Sequence, residues 1–178
     1  LRENGHATFE SAQVRKDGST FPVEVSAHLV EARGQKQVLS IVRDITERKR
    51  NEDALRASEE KFALAFRTSP YAIVITRLSD GFFIEVNDAF VNETGYTRDE
   101  VTGRSSREIS LWANPKDRER MIHDLRQGES ISSQEMLFTK KSGEHMTGLI
   151  SAQVITLNGE KCIMSSINNI TEHKRIQE

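Results

Sequence analysis

The chain contains a repeat of its own sequence, and this repeat restricts the possible folds more than any other feature. Residues 15–50 align without a gap with residues 140–175, an offset of 125 residues, and 12 of the 36 aligned positions are identical. Residues 1–5 also resemble residues 125–128, after which the two copies differ by a short insertion. Solenoid repeats have periods of about 20–50 residues, so the longer period indicates a small domain with its linker. We therefore expect the chain to begin inside one domain and to contain the next one whole.

Both copies show the apolar alternation that is typical of half-buried β-strands. In the first copy the alternating apolar residues are Phe21, Val23, Val25, Ala27 and Leu29. Residues 38–45 form a second such run, and turns that contain glycine separate the strands. In the second copy the matching apolar residues are Met146, Ile150, Ala152 and Val154. The pattern predicts that three antiparallel strands close each copy.

A charged segment follows the first copy and has the pattern of a helix. Asp44 and Glu47 stand three residues apart and can form a capping box, so a helix is predicted over residues 47–66. Pro70 ends it, because the residue before a proline is pushed out of helical geometry. Three residues are spaced by seven, as in a weak coiled-coil seam: Arg48, Leu55 and Phe62. The segment is thus either a parallel dimer helix or a solvated linker whose last turn packs on its own domain.

The rest of the chain predicts an α+β domain with one antiparallel sheet and its helices on one face. The predicted strands are residues 72–77 and 82–86. The predicted helical segments are residues 88–93, 98–101, 105–111 and 116–127. Asn87 is expected to cap the first of these helices, and Gly95 to end it in a left-handed conformation.

The composition excludes several classes of function. The net charge of −2 gives no basic footprint for nucleic acid. A single cysteine, Cys162, leaves no disulfide framework and no structural zinc cluster, which fits a reducing, cytoplasmic setting. The longest apolar run is far shorter than the roughly 20 residues of a membrane span. We therefore expect this piece to be soluble, although a longer parent protein could be membrane-associated.

Several motifs carry a family resemblance. They are residues 58–62 (SEEKF), 69–73 (SPYAI), 85–90 (EVNDAF), 94–103 (TGYTRDEVTG) and 169–172 (NITE). Together they resemble a PAS domain with its closing PAC motif. Residues 111–118 (LWANPKDR) are similar to the subset common in multi-PAS sensor histidine kinases and diguanylate cyclases.

The resemblance implies a domain division and a function. Residues 1–46 resemble the PAC part of an upstream PAS domain, residues 47–57 a signalling linker helix, residues 58–171 a complete PAS domain, and residues 172–178 the start of an output helix. The implied function is a sensory and dimerisation module without catalytic activity, in which a homodimer passes ligand or partner binding to a downstream kinase or cyclase. The alternatives are an interaction module without ligand, or a haem or flavin sensor of redox state or gas.

Two sets of residues follow as candidates. The signal-relay candidates lie at the two sheet endings: Asp44, Thr46, Glu47, Arg48, Asn169, Thr171 and Glu172. Asp44 is expected to cap the helix and to pair with Arg48, whereas Asn169 carries no charge for such a pair. The cavity of a small-molecule ligand is expected to be lined by Asn92, Trp112, Met121, Met136, Phe138, Met146, Ile150, Ile163 and Ser165, the alternative being a packed core.

The residues argue against the cofactors of related sensors. Flavin photosensors of the resembled family need a cysteine shortly after a Gly-Arg pair, but here Ser105 and Ser106 follow Gly103-Arg104. Haem-binding members use a histidine from the helix over 116–127, where His123 lies, but the ligand is expected nearer the start of that helix. We therefore expect neither haem nor flavin, and the sequence contains no motif for a phosphate loop, a metal cluster or a hydrolytic triad.

Overall fold

The computed structural model describes residues 5–177. The chain forms two compact units, which meet in sequence between Phe62 and Ala63. Among the described helices, none combines the length and the apolar character that crossing a membrane would need.

The first unit is an antiparallel sheet of three strands in the order β1-β2-β3. The strands are β1 (His6–Val14), β2 (Thr20–Ala32) and β3 (Gln35–Asp44). Val25 of β2 lies opposite Phe9 and Val42 on its two neighbours, so these side chains share one face. The three strands predicted to close the first copy are thus confirmed.

The predicted covering of this sheet needs a correction. Exposed Phe21, Val23, Val25 and Leu29 would cost free energy, so the sequence predicts that a second chain or a complete domain covers them. Val23 is already fully buried in the single chain and Phe21 and Val25 are partly buried, whereas Leu29 remains 39% exposed. Only Leu29 and its exposed neighbours on that face, Phe9, Val38 and Val42, are left for a partner to cover.

Helix α1 (Thr46–Thr68) follows β3 directly and runs without a break into the second unit's part of the sequence. Its observed bounds confirm the predicted helix over 47–66. Leu55, in the middle of the helix, is 61% exposed.

The second unit is a five-stranded antiparallel sheet in the order β5-β4-β8-β7-β6. Its strands are β4 (Ala72–Arg77), β5 (Phe83–Val86), β6 (Ile131–Thr139), β7 (His145–Leu157) and β8 (Glu160–Asn169). Its helices are α2 (Asp88–Thr94), α3 (Arg98–Val101), α4 (Pro115–Arg126) and α5 (Thr171–Gln177). The predicted α+β class is confirmed.

The helix predicted over 105–111 is wrong, because this segment is a series of turns. The Glu108 carboxylate accepts a hydrogen bond from the Ser105 backbone N–H at 2.6 Å, and the Ser105 hydroxyl accepts one from the Glu108 N–H. Ser110 has a positive φ of 52°. The two Ser105–Glu108 bonds form a capping box, which begins a helix, but the left-handed Ser110 ends it within one turn, where the Leu111 N–H donates back to the Ser106 carbonyl.

Asn87 is fully buried and joins three elements of the second unit. Its side-chain oxygen accepts from the N–H groups of Ile73 in β4 and Phe90 in α2, and its side-chain NH₂ donates to the carbonyls of Phe66 and Tyr71. The N-cap predicted at Asn87 is confirmed, as is the left-handed Gly95 that ends α2 with a φ of 80°.

The internal repeat is reproduced in the strand bounds. Shifting β1, β2 and β3 by 125 residues gives the bounds of β6, β7 and β8. The same shift carries the first residue of α1 onto the first residue of α5. Each copy therefore ends in the same three strands followed by a helix.

Candidate functional site

The first sheet ending is held to its helix by Asp44, the last residue of β3. Its carboxylate accepts hydrogen bonds from the Thr46 N–H at 2.8 Å and the Thr46 hydroxyl at 2.5 Å. Arg15 lies 3.5 Å from the same carboxylate. The predicted pair with Arg48 is wrong, because that guanidinium lies on β1 and β2 instead. Asp44 also binds the residue two positions ahead rather than closing a capping box with Glu47.

The first turn of α1 is fastened to the sheet by two basic side chains. Arg48 contacts Glu10 at 2.7 Å and Glu24 at 3.5 Å, and Lys49 contacts Glu10 at 2.6 Å. The hydrogen bond from Lys49 lowers the pKa of the Glu10 carboxyl and raises the pKa of the Lys49 ammonium. The beginning of the helix is thus joined to the first strand of the sheet as well as to the last.

The second sheet ending repeats this arrangement with an uncharged cap. The Asn169 side-chain oxygen accepts from the Thr171 N–H at 3.0 Å and the Thr171 hydroxyl at 2.7 Å. The Thr171 hydroxyl oxygen also accepts from the Thr147 N–H of β7 at 2.9 Å. The Asn169 NH₂ donates to the Glu93 carboxylate of α2. Asn169 therefore links helix α5 to helix α2 as well as to the sheet.

An ion pair completes the second junction. Lys174 of α5 contacts Glu135 of β6, and these two residues occupy the positions of Lys49 and Glu10 shifted by 125. We call the Asx–Thr bonds together with this Glu–Lys pair the junction, in each copy. Among the described residues, the predicted relay residues Glu47 and Glu172 form no side-chain hydrogen bond or ion pair and lie outside it.

The junction makes a prediction about the pKa of Asp44. The two Thr46 hydrogen bonds, with a smaller contribution from Arg15, hold that pKa below the ordinary value of an aspartate. The stabilisation by the Asp44–Thr46 bonds is therefore complete above the ordinary pKa of an aspartate. It is lost as the pH falls through the lowered pKa of Asp44. Thr46→Val should move the Asp44 midpoint upward in a carboxyl-carbon NMR titration. Arg15→Gln should move it less, and an unchanged midpoint in Thr46→Val would show that the hydroxyl does not hold the carboxylate.

The predicted ligand cavity is present inside the second unit, but it is small. Its volume is about 30 Å³, room for about two water molecules. Five of the nine predicted lining residues do line it: Trp112, Met121, Phe138, Ile150 and Ser165. The Trp112 and Phe138 rings lie 5.0 Å apart and form one wall.

The other four predicted lining residues lie elsewhere. Met136, Met146 and Ile163 are buried in the core of the second unit and do not line the cavity. Asn92 is on the outer side of α2, beside Arg67 and Ser69. Phe83, Ser106 and Arg118 also line the cavity, although the sequence did not predict them there.

A polar cleft of about 420 Å³ lies outside the cavity and shares Arg118 with it. Arg107, Arg126 and the exposed His123 also line this cleft. Burial lowers the pKa of the Arg118 guanidinium, and Arg107 and Arg126 act in the same direction. The predicted haem candidate, His123, thus faces the outer cleft instead of the interior.

The size of the inner cavity and the residues around it bear on whether a large cofactor binds there. Sites for ligands of drug size usually have volumes of about 300–1,000 Å³, far above the volume of the inner cavity. Ser106, two residues after Arg104, offers a hydroxyl in place of a thiol and is bound to Arg118. Cys162 is buried on β8 with Phe66 and Ile75, and burial raises the pKa of its thiol. No cluster of three metal-ligating side chains occurs within residues 5–177.

Comparisons with known proteins agree with this geometry. A family model described as a PAS domain matches residues 1–47 and 70–172. The chain is 33% identical over 102 residues to a blue-light-activated histidine kinase of Brucella anthropi, a match that covers 56% of this chain and 21% of that protein. It is 24% identical over 221 residues to the sensor protein TdiS of Thauera aromatica, covering 97% of this chain and 40% of that protein. It therefore spans less than half the length of either relative.

A solved structure gives the same result. The PAS domain of an HTR-like protein from Haloarcula marismortui superimposes with a TM-score of 0.55 at 27% sequence identity. The superposition covers 68% of this chain and 99% of that one.

Proposed function

The chain belongs to the PAS domain family, and on this premise we propose that it is a signal-sensing and dimerisation module that relays ligand or partner binding through its linker helices. The sheet of each unit receives a signal, and its own junction transmits that signal to the helix that follows, which is α1 in the first unit and α5 in the second. The output is a histidine kinase, or a diguanylate cyclase, elsewhere in a longer parent protein. Neither unit is proposed to catalyse a reaction.

One observation carries the proposal: the same junction occurs twice. In each copy an Asx side chain holds the first threonine of the helix, and a Glu–Lys pair fixes the first turn of that helix to the first strand of the sheet. Movement of the sheet edge must therefore move the start of the helix that follows. A solvated linker without a relay role would not need the same three contacts at both places.

The names of two relatives support a kinase output. One is a histidine kinase and the other is a sensor protein, and the chain matches part of each. A histidine kinase is therefore the first choice for the parent.

The dimer is proposed to form through α1 of two copies. Two exposed apolar residues of this helix, Leu55 and Phe62, follow the seven-residue spacing of a parallel coiled coil. A second copy is the partner because a parallel pair of identical helices brings each seam residue against its own equivalent. The exposed sheet residues Phe9, Leu29, Val38 and Val42 and, separately, surfaces of the second unit are further candidates for contact between the two copies.

The dimer proposal is tested by Leu55→Lys, which places a charge in the seam. Losing the burial of one leucine is worth about 1.5–3 kcal/mol, so the dimer dissociation constant should rise about tenfold or more. Sedimentation equilibrium of the 178-residue chain measures this constant.

Ala57→Lys is the matched control for that experiment. It adds the same charge to an exposed position of α1 outside the seam and should leave the constant unchanged. A wild-type chain that is monomeric at high concentration, or equal constants for the two variants, would contradict the proposed dimer helix.

The small inner cavity favours a second candidate function, a dimerisation module that binds no small molecule. Native mass spectrometry of the purified chain separates the two. A retained small molecule supports the sensor of a ligand, and a bare dimer supports the interaction module.

A further inference from the structure

Arg118 is half-buried and forms no direct ion pair, although Glu119 acts on its charge from a longer distance. It lies in the first turns of α4, and its guanidinium stands between the inner cavity and the outer cleft. Within residues 5–177, no carboxylate lies within 4.0 Å of its nitrogen atoms. Its neighbours differ in this respect, since Arg107 pairs with Glu119 at 2.9 Å and Arg120 with Asp117 at 3.2 Å. A charge taken partly out of water without a partner costs free energy unless something compensates it.

Ser106 adds a second unused donor at the same place. Its hydroxyl oxygen accepts the Arg118 Nε–H at 2.9 Å, so its own hydrogen is left to donate. Ser106 is only 6% exposed, and in the described chain no acceptor lies in reach of that hydrogen. The two residues therefore present donors and no acceptor toward the cavity.

Gly81 lets the guanidinium lie where it does. A Cβ at this position would stand 2.0 Å from an Arg118 terminal nitrogen, so any side chain would push the guanidinium away. The bare backbone of Gly81 forms the floor of the site on that side.

From these observations we infer that Arg118 and Ser106 bind the carboxylate of a small aliphatic monocarboxylic acid, whose short apolar tail enters the inner cavity. The inference rests on the proposed sensory function and names the class of its ligand. A carboxylate accepts two parallel hydrogen bonds from a guanidinium and a third from a hydroxyl. The apolar walls beside the donors, Phe83, Met121 and Phe138, suit a tail of two or three carbons, because the cavity holds only about 30 Å³.

The charge of the cleft favours a monoanion over a dianion such as phosphate. The cleft contains three arginines, Arg107, Arg118 and Arg126, and two carboxylates, Asp80 and Glu119. With neutral histidine this leaves one net positive charge. A monoanion would neutralise this charge, whereas a dianion would leave one negative charge uncompensated in a partly buried site.

The test is an NMR titration of the wild-type chain with sodium propionate at constant ionic strength, which keeps screening equal at every step. Propionate should give saturable shifts at the amides around Ser106 and Arg118. Propionamide, which has nearly the same shape and no charge, should bind roughly tenfold or more weakly. Inorganic phosphate should also bind more weakly than propionate.

Two arginine variants complete the test. Arg118→Gln should weaken propionate binding roughly 10- to 100-fold. Arg120→Gln, on the exposed side of the same helix, should bind as the wild type does. Ser106→Ala should fall between them, and if Arg118→Gln does not fold, Ser106→Ala and the propionamide comparison decide.

Any of four results would overturn the inference: no saturable shift with propionate, equal binding of propionamide, tighter binding of phosphate, or full binding by Arg118→Gln. If propionate does not bind while Leu55→Lys still dissociates the dimer, the ligand class alone is wrong. If propionate binds and the junctions do not affect output, the proposed relay is wrong and the ligand class stands.

Discussion

Replacing Asn87 by alanine is expected to cost the second unit about 3 kcal/mol of unfolding free energy. Four backbone groups lose their side-chain partner at once, and each unsatisfied buried group costs about 1–3 kcal/mol before local relaxation. In a continuing helix the N–H four residues later would donate to the Phe66 carbonyl. That residue is Pro70, which has no N–H. Urea denaturation of both variants measures the change in free energy.

Asn92→Ala is the control for this substitution. It removes the same side chain from α2, five residues further on, at an exposed position. It should change the unfolding free energy by less than about 0.5 kcal/mol. Equal effects of the two variants would mean that the buried amide does not join α1, β4 and α2.

Gly148→Val is also expected to destabilise the second unit strongly. It gives position 148 the residue that the first copy has at the equivalent position. The equivalent position of the first copy is Val23, which is fully buried. In β7 a Cβ would lie 2.6 Å from Ile167 and 2.9 Å from the Phe138 ring. Overpacking of this kind costs about 1–3 kcal/mol, which should appear as a lower midpoint in thermal or urea unfolding.

Thr156→Val serves as the matched variant, because it places the same β-branched residue at an exposed position of the same strand. Its midpoint should stay near that of the wild type. If Gly148→Val is as stable as Thr156→Val, the Phe138 ring moves freely enough to make room, and the described cavity wall is not rigid.

The repeat predicts the closing strands well because a half-buried strand imposes a period of two on its side chains. Val25 and Ala27 sit in the same alternation as Ile150 and Ala152, and the strand bounds agree after the shift. Helix α1 was predicted for similar local reasons, since Pro70 fixes its end. The helix predicted over 105–111 was wrong although Ser105 and Glu108 form a capping box, because Ser110 takes a left-handed conformation that no sequence pattern indicated and ends the segment within one turn.

The junction was predicted only in part. The Asx and threonine positions repeat in the sequence, so Asp44 and Asn169 were found. Their Glu10 and Glu135 counterparts lie on β1 and β6, where the two copies share little sequence, and ion pairs between distant segments depend on tertiary placement. The predicted pairing of Asp44 with Arg48 was wrong for the same reason, because the guanidinium near Asp44 is that of Arg15.

The inward position of Arg118 could have been predicted from the helical spacing of the sequence. It precedes the buried Met121 by three residues and the buried Leu125 by seven, a spacing that puts it on the inner face of α4. The inward position was not predicted, because the other charged residues of α4 are typical of a helix face exposed to solvent.

A chimera tests directly whether output depends on the junction between sheet and helix. Helix α5 of the full chain is joined in register to the dimerisation helix of a histidine kinase, and the autophosphorylation rate is measured. The double variant Asn169→Ala and Lys174→Gln removes both ties of the second junction. Its control, Asn168→Ala with Lys161→Gln, removes the same residue types from exposed positions of β8. We expect the junction variant to change the autophosphorylation rate about fivefold or more, which corresponds to a coupling free energy of roughly 1 kcal/mol. The control variant should have the rate of the wild type. Equal rates for all three proteins would contradict a dependence of output on the junction.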